Sequence, residues 1–369
     1  HMVFKGTERR SAEEIAREVD SLGGQLDAFT AKEMVSFNAK VMDEHLPRAF
    51  DVLADLALAP VFREPDVEKE RGVILEEIHM EEDNPDYLVH EIFSENFWYD
   101  HPIGRPILGT RETLEGFRRE QLFEFFHRWY VPNQMLITAA GRLDPARFVQ
   151  LVGEKFRHLT PHQDGTPDPV PKAHARFSTR SKHELEQVHL CVGVPCYPLP
   201  HERRYAVALL NTILGGGMSS RLFQNIRERE GLAYAIFSDV SPYRDTGCLS
   251  VYAGTARETA RQTLRLILEE LTRLKREPVR SDELRRAQDN LKGGLTLALE
   301  STHARMTKLA REEIYFGRSF SVDEILAAVD AVTSDELQSV AREFFQPHLL
   351  GVTLLGRLEE LKISRDDLT

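Results

Sequence analysis

Apolar positions recur along this chain in two periods, and the switches between them lay out its elements. In SAEEIAREVDSLGG, Ser11 caps, Glu13 and Glu14 fill the first turn, and Ile15, Val19 and Leu22 share a face. That pattern predicts a helix closed by Gly23 and Gly24. QLDAFTAKEMVSFNAKVM alternates around Val35, Phe37 and Ala39 and predicts a strand pair ending near Met42. A helix over 44–59 carries Leu46, Phe50, Leu53, Leu56 and Ala57 as its stripe, and Pro60 stops it. Pro65 opens a long helix, DVEKERGVILEEIHMEEDN, which Pro85 closes, and 86–97 continues as another. HPIGRPILG reads as a loop, 120–129 as a helix, QMLITAAG as a buried strand and 145–156 as a helix.

Residues 158–172 hold Pro161, Pro167, Pro169, Pro171 and Gly165 with no apolar period, which marks an interdomain linker. The expected organisation is an N-terminal domain over 1–160, a linker over 161–175 and a C-terminal domain over 176–369. Beyond the linker, VHLCVGVPC reads as a strand, 203–214 as a helix, GGG at 215–217 as a break and SSRLFQNIRERE as a helix. AYAIFSDV and GCLSVYAG form a strand pair, helices cover 258–276, 281–299, 303–316, 322–331 and 334–345, and LLGVTLLG is the last strand.

The halves echo one another. Residues 121–143 line up with 337–358, matching Pro132 with Pro347 and Gly141-Arg142-Leu143 with Gly356-Arg357-Leu358, each 215 positions apart (347 − 132, 356 − 141). A repeat this long means duplicated domains rather than a solenoid. The second half has a strand and a helix over 177–214 before the point matching residue 1, so the first half is expected to own about 40 further residues ahead of His1.

Composition narrows the function classes. With 369 residues and 41% hydrophobic content, the chain is long enough for two cores. A net charge of −12, spread along the sequence, argues against nucleic acid as partner. No run of 18 apolar residues is present, so no membrane span is expected. The compartment stays open between bacterial cytoplasm and periplasm. Cys191, Cys196 and Cys248 lack C-x-x-C spacing and read as core residues. Gly215–Gly217 is followed by no G-K-[ST] and follows no strand directly, which excludes a phosphate loop. His45, His79, His90 and His101 lack ligand spacing and read as structural.

Glu70 and Glu77 lie seven apart on one predicted helix, on the same face two turns apart. Such a pair can serve a metal, one carboxylate directly and one through a ligand's second nitrogen. Equally, ERGVILEEI can be an acid-studded surface helix.

Several stretches in register settle the choice. HMVFKGT, ERGVILEEI, DNPD, PIGRPILG, the strand before GRL, and LGGGMSSRLFQ with IREREGLAY resemble the pitrilysin-type zinc metallopeptidases of the inverted H-x-x-E-H motif, in their bacterial and mitochondrial processing-peptidase branch. The resemblance spans essentially the whole chain. It implies an α+β fold of two duplicated domains, each an antiparallel-rich sheet with helices packed on it, arranged as a clamshell and paired as a homodimer or with a related chain. It also implies Zn2+ and hydrolysis of short or unfolded peptides by a glutamate-activated zinc water.

Residue by residue, the resemblance assigns His1 to the family's second histidine and Glu77, 76 positions later (77 − 1), to the distal zinc ligand. Glu70 matches the acid that supports a histidine ligand. A His-Met pair at a chain start also remains when an expression tag is cleaved, but the VFKGT that follows favours the native residue. The family's first histidine and catalytic glutamate do not occur in this sequence, so the residues shown do not complete a three-ligand site with a bound water. Around Gly216 the second half carries GGG in place of a metal motif. Its Arg227 and Tyr234 match the family's Arg/Tyr pair, which in relatives reaches the substrate carbonyl and stabilises the developing oxyanion. The strand through Ala28, Phe29 and Thr30 matches the edge on which an extended peptide adds as a further strand. The rival expectation is a catalytically silent partner subunit or scaffold of a heterodimeric peptidase.

Overall fold

The computed structural model describes residues 1–161, 168–359, 361 and 363–368, so part of the expected linker lies outside the described residues. In chain order the elements are α1 (Ala12–Ser21), β1 (Gln25–Thr30), β2 (Val35–Lys40), α2 (Leu46–Leu58), α3 (Glu64–Asp83), α4 (Pro85–Phe97), α5 (Arg111–Gly116), α6 (Arg119–Trp129) and α7 (Pro145–Phe156). There follow β3 (Phe177–Ser181), β4 (Gln187–Pro195), α8 (Arg204–Leu214), β5 (Ala233–Pro242), β6 (Gly247–Ala256), α9 (Ala260–Arg276), α10 (Ser281–Ala298), α11 (Thr302–Phe316), α12 (Val322–Asp330), α13 (Ser334–Phe344) and β7 (Gly351–Gly356). The fold is α+β, as expected. No helix among the described residues is long and apolar enough to cross a membrane.

Local chemistry sets most boundaries. Ser11 accepts from the Glu14 N–H while Glu14 reaches back to the Ser11 N–H, a complete capping box that starts α1. Asn84 caps α4 with Pro85 in its first turn, so Asn84-Pro85 separates α3 from α4. The duplication is visible in the same boundaries. Both ends of α6 and α13 are displaced by 215 positions (334 − 119, 344 − 129), as are the single turns Pro132–Gln134 and Pro347–Leu349 that follow them.

The chain divides into two units, neither contiguous in sequence. The first comprises His1–Met80, Ile107–Asp168 and Ser301–Ile314; the second comprises Glu81–Pro106, Pro169–Glu300 and Tyr315–Thr369. The first half thus supplies α4 to the second unit, and the second half supplies most of α11 to the first.

In the first unit, β1 and β2 form an antiparallel two-stranded sheet, with Ala28 opposite Phe37 and Thr30 opposite Val35. Val3, Phe62 and Phe126 make one apolar cluster; Ile15, Val52 and Leu56 make another. The run read as QMLITAAG is no strand: Met135 is extended, yet no described strand pairs with 135–140. Its counterpart β7 is hydrogen-bonded on both edges, by β3 and β4. Apolar sequence alone does not make a strand; the ladder partners do.

The second unit holds a five-stranded sheet in the order β3-β7-β4-β6-β5, parallel only between β3 and β7. One face is covered by a core that includes Leu209, Leu210, Leu264, Ile267, Leu337 and Val340 from α8, α9 and α13. α4 covers other positions of the sheet, packing Val89, Phe93 and Phe97 with Cys191, Tyr252 and Leu355. Gly193 and Gly351, cross-strand partners, make that packing possible. A Cβ on Gly193 would stand 2.5 Å from the Phe93 ring, and one on Gly351 3.0 Å from the Phe97 ring. All three cysteines are buried free thiols, as expected.

Candidate metal centre and substrate-contact pair

His1 precedes a short 3-10 turn, Met2–Lys5, closed by a 3.1 Å bond from the Phe4 N–H to the His1 carbonyl. Buried Val3 anchors this turn in the apolar cluster with Phe62 and Phe126. Glu70 and Glu77 lie on α3, two turns apart on one face, and the His1 imidazole spans them. Its Nδ1 is 2.8 Å from Glu70 Oε1 and its Nε2 is 3.6 Å from Glu77 Oε2. The sequence missed a fourth member of this group. Lys5 Nζ stands 2.6 Å from Glu70 Oε2, so Glu70, only 4% exposed, carries a cation on one oxygen and an imidazole on the other. Burial raises the Glu70 pKa, but the Lys5 and His1 contacts outweigh it and hold the carboxyl below its ordinary value.

With Nδ1–H donating to Glu70, the neutral imidazole presents its Nε2 lone pair to the Glu77 carboxylate. Two acceptors facing one another are satisfied by a proton or by a cation between them. The pair therefore fits two positions of a nitrogen- and oxygen-liganded zinc, with Glu70 fixing the ring from behind. The fit ends there. Among the described residues no group of three His, Cys, Asp or Glu side chains is placed to hold a metal ion.

Of the histidines read as structural, His79 pairs with Arg111, His101 Nδ1 accepts from the Ile103 N–H at 3.1 Å, and His45 lies 4.0 Å from Glu44. His90, on α4, stacks on Phe237 and Tyr252, with its Nδ1 3.7 Å from the Cys191 sulfur.

In the second unit, two backbone irregularities set Arg227 and Tyr234 side by side. The segment read as an ordinary helix widens over Phe223–Arg229 into a π-helix, where the Glu230 N–H reaches back five residues to the Asn225 carbonyl. The β5–β6 ladder then slips. Ala233 pairs with Thr255 and Ala235 with Gly254, so Tyr234 is the extra residue of a bulge and is turned outward, 79% exposed. The Arg227 guanidinium lies 5.5 Å from the Tyr234 ring centroid and 4.7 Å from that of Phe223. Both residues line an open depression of about 400 Å³, with Gln187, Gly231, Gly254 and Thr255 around it.

The strand edge is also in place. β1 pairs with β2 and with no other described strand, and Phe29 on it is 43% exposed. The Ala28 N–H donates to Asp27 Oδ1 at 2.8 Å, a local contact that a docking strand would displace.

Known proteins resemble this chain along most of its length. Residues 1–111 match the family described as Insulinase (Peptidase family M16), and residues 116–291 the one described as Peptidase M16 inactive domain. A protein of Bacillus subtilis named an uncharacterized zinc protease is 41% identical over 345 residues, covering 94% of this chain and 84% of its own length. The chain belongs to peptidase family M16. A Streptomyces coelicolor protein, also named an uncharacterized zinc protease, is 37% identical over 374 residues, 99% of the present M16 chain and 81% of its own. At the level of fold, a protease from Helicobacter pylori superposes with a TM-score of 0.89 at 20% identity, covering 96% of this chain and 87% of that one. A peptidase M16 inactive domain from Pseudomonas fluorescens gives 0.85 at 18% identity, covering 96% and 86%. Membership in M16 makes a zinc peptidase the general functional frame.

Proposed function

We propose that this chain serves a zinc-dependent endopeptidase that hydrolyses short or unfolded peptides, working as a dimer with a second copy or a related chain. The observation that supports it most directly is the His1 imidazole held by Glu70 at Nδ1 and presented to Glu77 at Nε2. Zinc, when bound, would polarise the scissile carbonyl and acidify its water. Among the described residues, His1 and Glu77 would supply two of its ligands. In this reading Glu70 with Lys5 holds the His1 ring in one tautomer. Arg227 and Tyr234 donate to a substrate carbonyl oxygen as negative charge develops on it. The edge at Ala28, Phe29 and Thr30 takes the peptide backbone as an added strand, which tolerates many sequences. In this reading the expected domain 1–160 carries the zinc ligands and the strand edge, and 176–369 the Arg227–Tyr234 pair.

The test, on the complete gene product, is zinc titration by calorimetry together with digestion of a fluorescein-labelled unstructured casein. Zinc binding lost in Glu77→Gln, and casein cleavage lost in Tyr234→Phe, support the peptidase. A second reading, the catalytically silent partner subunit, is favoured by the match of residues 116–291 to the inactive domain and by an Arg227–Tyr234 depression complete within the second unit. Casein binding without cleavage, weakened by Arg227→Ala, would select that reading.

A further inference from the structure

The π-helical stretch that carries Arg227 is tied sideways to a buried carboxylate. Asn225 Nδ2 donates to Glu270 Oε1 at 2.5 Å. Glu270 lies on α9, is only 4% exposed, and receives a second donor on the same oxygen, Arg273 Nη1 at 2.9 Å. The other end of the Asn225 carboxamide is used as well, its Oδ1 accepting from Arg229 Nη1 at 2.9 Å. A carboxylate is costly to bury unless it is matched by donors, and α9 has no helical need of one at this position. π-turns are rare and occur mostly as single-turn bulges within α-helices, so a side-chain tie can decide where such a turn sits.

A second tie holds the start of the same stretch. Arg221 grips Glu283 of α10 with Nε and Nη2, both at 2.8 Å. Between Arg221 and the bulge at Tyr234, the fully buried Ile226 fixes depth. The Asn225–Glu270 contact lies two residues from Arg227 and ties the turn to α9, which opposes its rotation about its own axis.

We infer that Asn225, anchored by Glu270, is the positioning residue that sets the Arg227 guanidinium beside Tyr234. Asn225 touches no substrate itself; it acts by choosing which way the wide turn points its next side chain but one. The functional consequence rests on the reading of Arg227 as a substrate contact, whereas the geometric claim does not.

The experiment is a double-mutant cycle on the full chain, read by binding of fluorescein-labelled casein. Asn225→Ala is expected to weaken binding about tenfold, as loss of a hydrogen bond to a charged group would. Glu270→Gln, which keeps an acceptor for Asn225, is expected to retain most of the affinity. In an Arg227→Ala background, Asn225→Ala is expected to cost nothing more, because its effect passes through Arg227. Additive losses, or no loss in Asn225→Ala, would overturn the inference. Should Asn225→Ala not fold, Asn225→Ser, too short to reach Glu270, carries the same cycle. If Arg227→Ala alone leaves casein binding unchanged, the substrate-contact reading fails instead. The positioning claim is then decided by a crystal structure of the Asn225 variant. An Arg227–Tyr234 separation still at 5.5 Å overturns it, and a displaced guanidinium sustains it.

Discussion

Gly141 and Gly356, 215 positions apart (356 − 141), share a backbone geometry, with φ of 140° and 141°. Each follows the turn and extended run that come after α6 or α13, so the duplication has kept a conformation only glycine adopts freely. Their surroundings differ. A Cβ on Gly141 meets nothing within 4 Å, whereas one on Gly356 would lie 2.5 Å from the Gln187 carbonyl oxygen. Gly141→Ala is therefore expected to cost about 1–3 kcal/mol of backbone strain. Gly356→Ala is expected to cost clearly more, and urea unfolding of the two variants checks the order.

The Lys5–Glu70 pair makes a prediction about charge rather than shape. Lys5→Met strands the Glu70 carboxylate in its buried position with His1 as its remaining partner. A loss of about 1–3 kcal/mol is expected, since an incompletely satisfied buried acceptor bears its desolvation penalty. Lys5→Met combined with Glu70→Gln is expected to recover much of it. Equal destabilisation of the single and double variants in urea would show that Lys5 does not act through Glu70.

His90 gives the second unit a dependence on acid. Burial, the largest influence, holds its pKa below 6.5, against the opposing pull of Asp86 and Asp239. The Cys191 thiol and the Tyr252 ring pack on it from β4 and β6, and His189, itself lowered by burial, hydrogen-bonds the Tyr252 hydroxyl at 2.9 Å. As pH falls through about 6.5 the unfolded chain takes up the proton first, so stability declines below that pH and is unaffected above it. His90→Phe, which keeps the ring stack, is expected to lose less stability between pH 7.5 and pH 5.5 than the parent. Urea midpoints at the two pH values decide it.

Tyr234→Phe separates the phenol's hydroxyl from its ring. The ring contact with Arg227 survives the change, so casein affinity is expected to hold within a few-fold. In the peptidase reading, kcat/KM falls by about 100-fold, because a donor to the developing oxyanion is gone. An unchanged kcat/KM in Tyr234→Phe would remove the hydroxyl from the chemistry.

What the sequence shows is what local chemistry decides. The Ser11 capping box and the Asn84-Pro85 junction placed helix ends to within a residue or two, and the seven-residue spacing of Glu70 and Glu77 foretold the face on which His1 meets both. Lys5 stayed hidden because its partner lies 65 positions away (70 − 5), and nothing in FKGT announces it. The π-turn and the bulge stayed hidden for another reason. Each adds one residue to a pattern whose period is otherwise intact, and the polar run at 227–230 carries no apolar marker of the shift. The run at 135–140 reads as a buried strand from its apolar residues alone, yet none of them is fully buried and no described strand pairs with them.

The traded helices α4 and α11 bear on how the molecule is made. The first unit needs residues up to Ile314, so it is not finished when its own half leaves the ribosome, and the second needs Glu81–Pro106 from the half made before it. Completion of either unit has to wait for most of the chain. For the same reason no single cut releases either of them whole: a nick at the joint between the halves would leave each fragment holding a helix that belongs to the other.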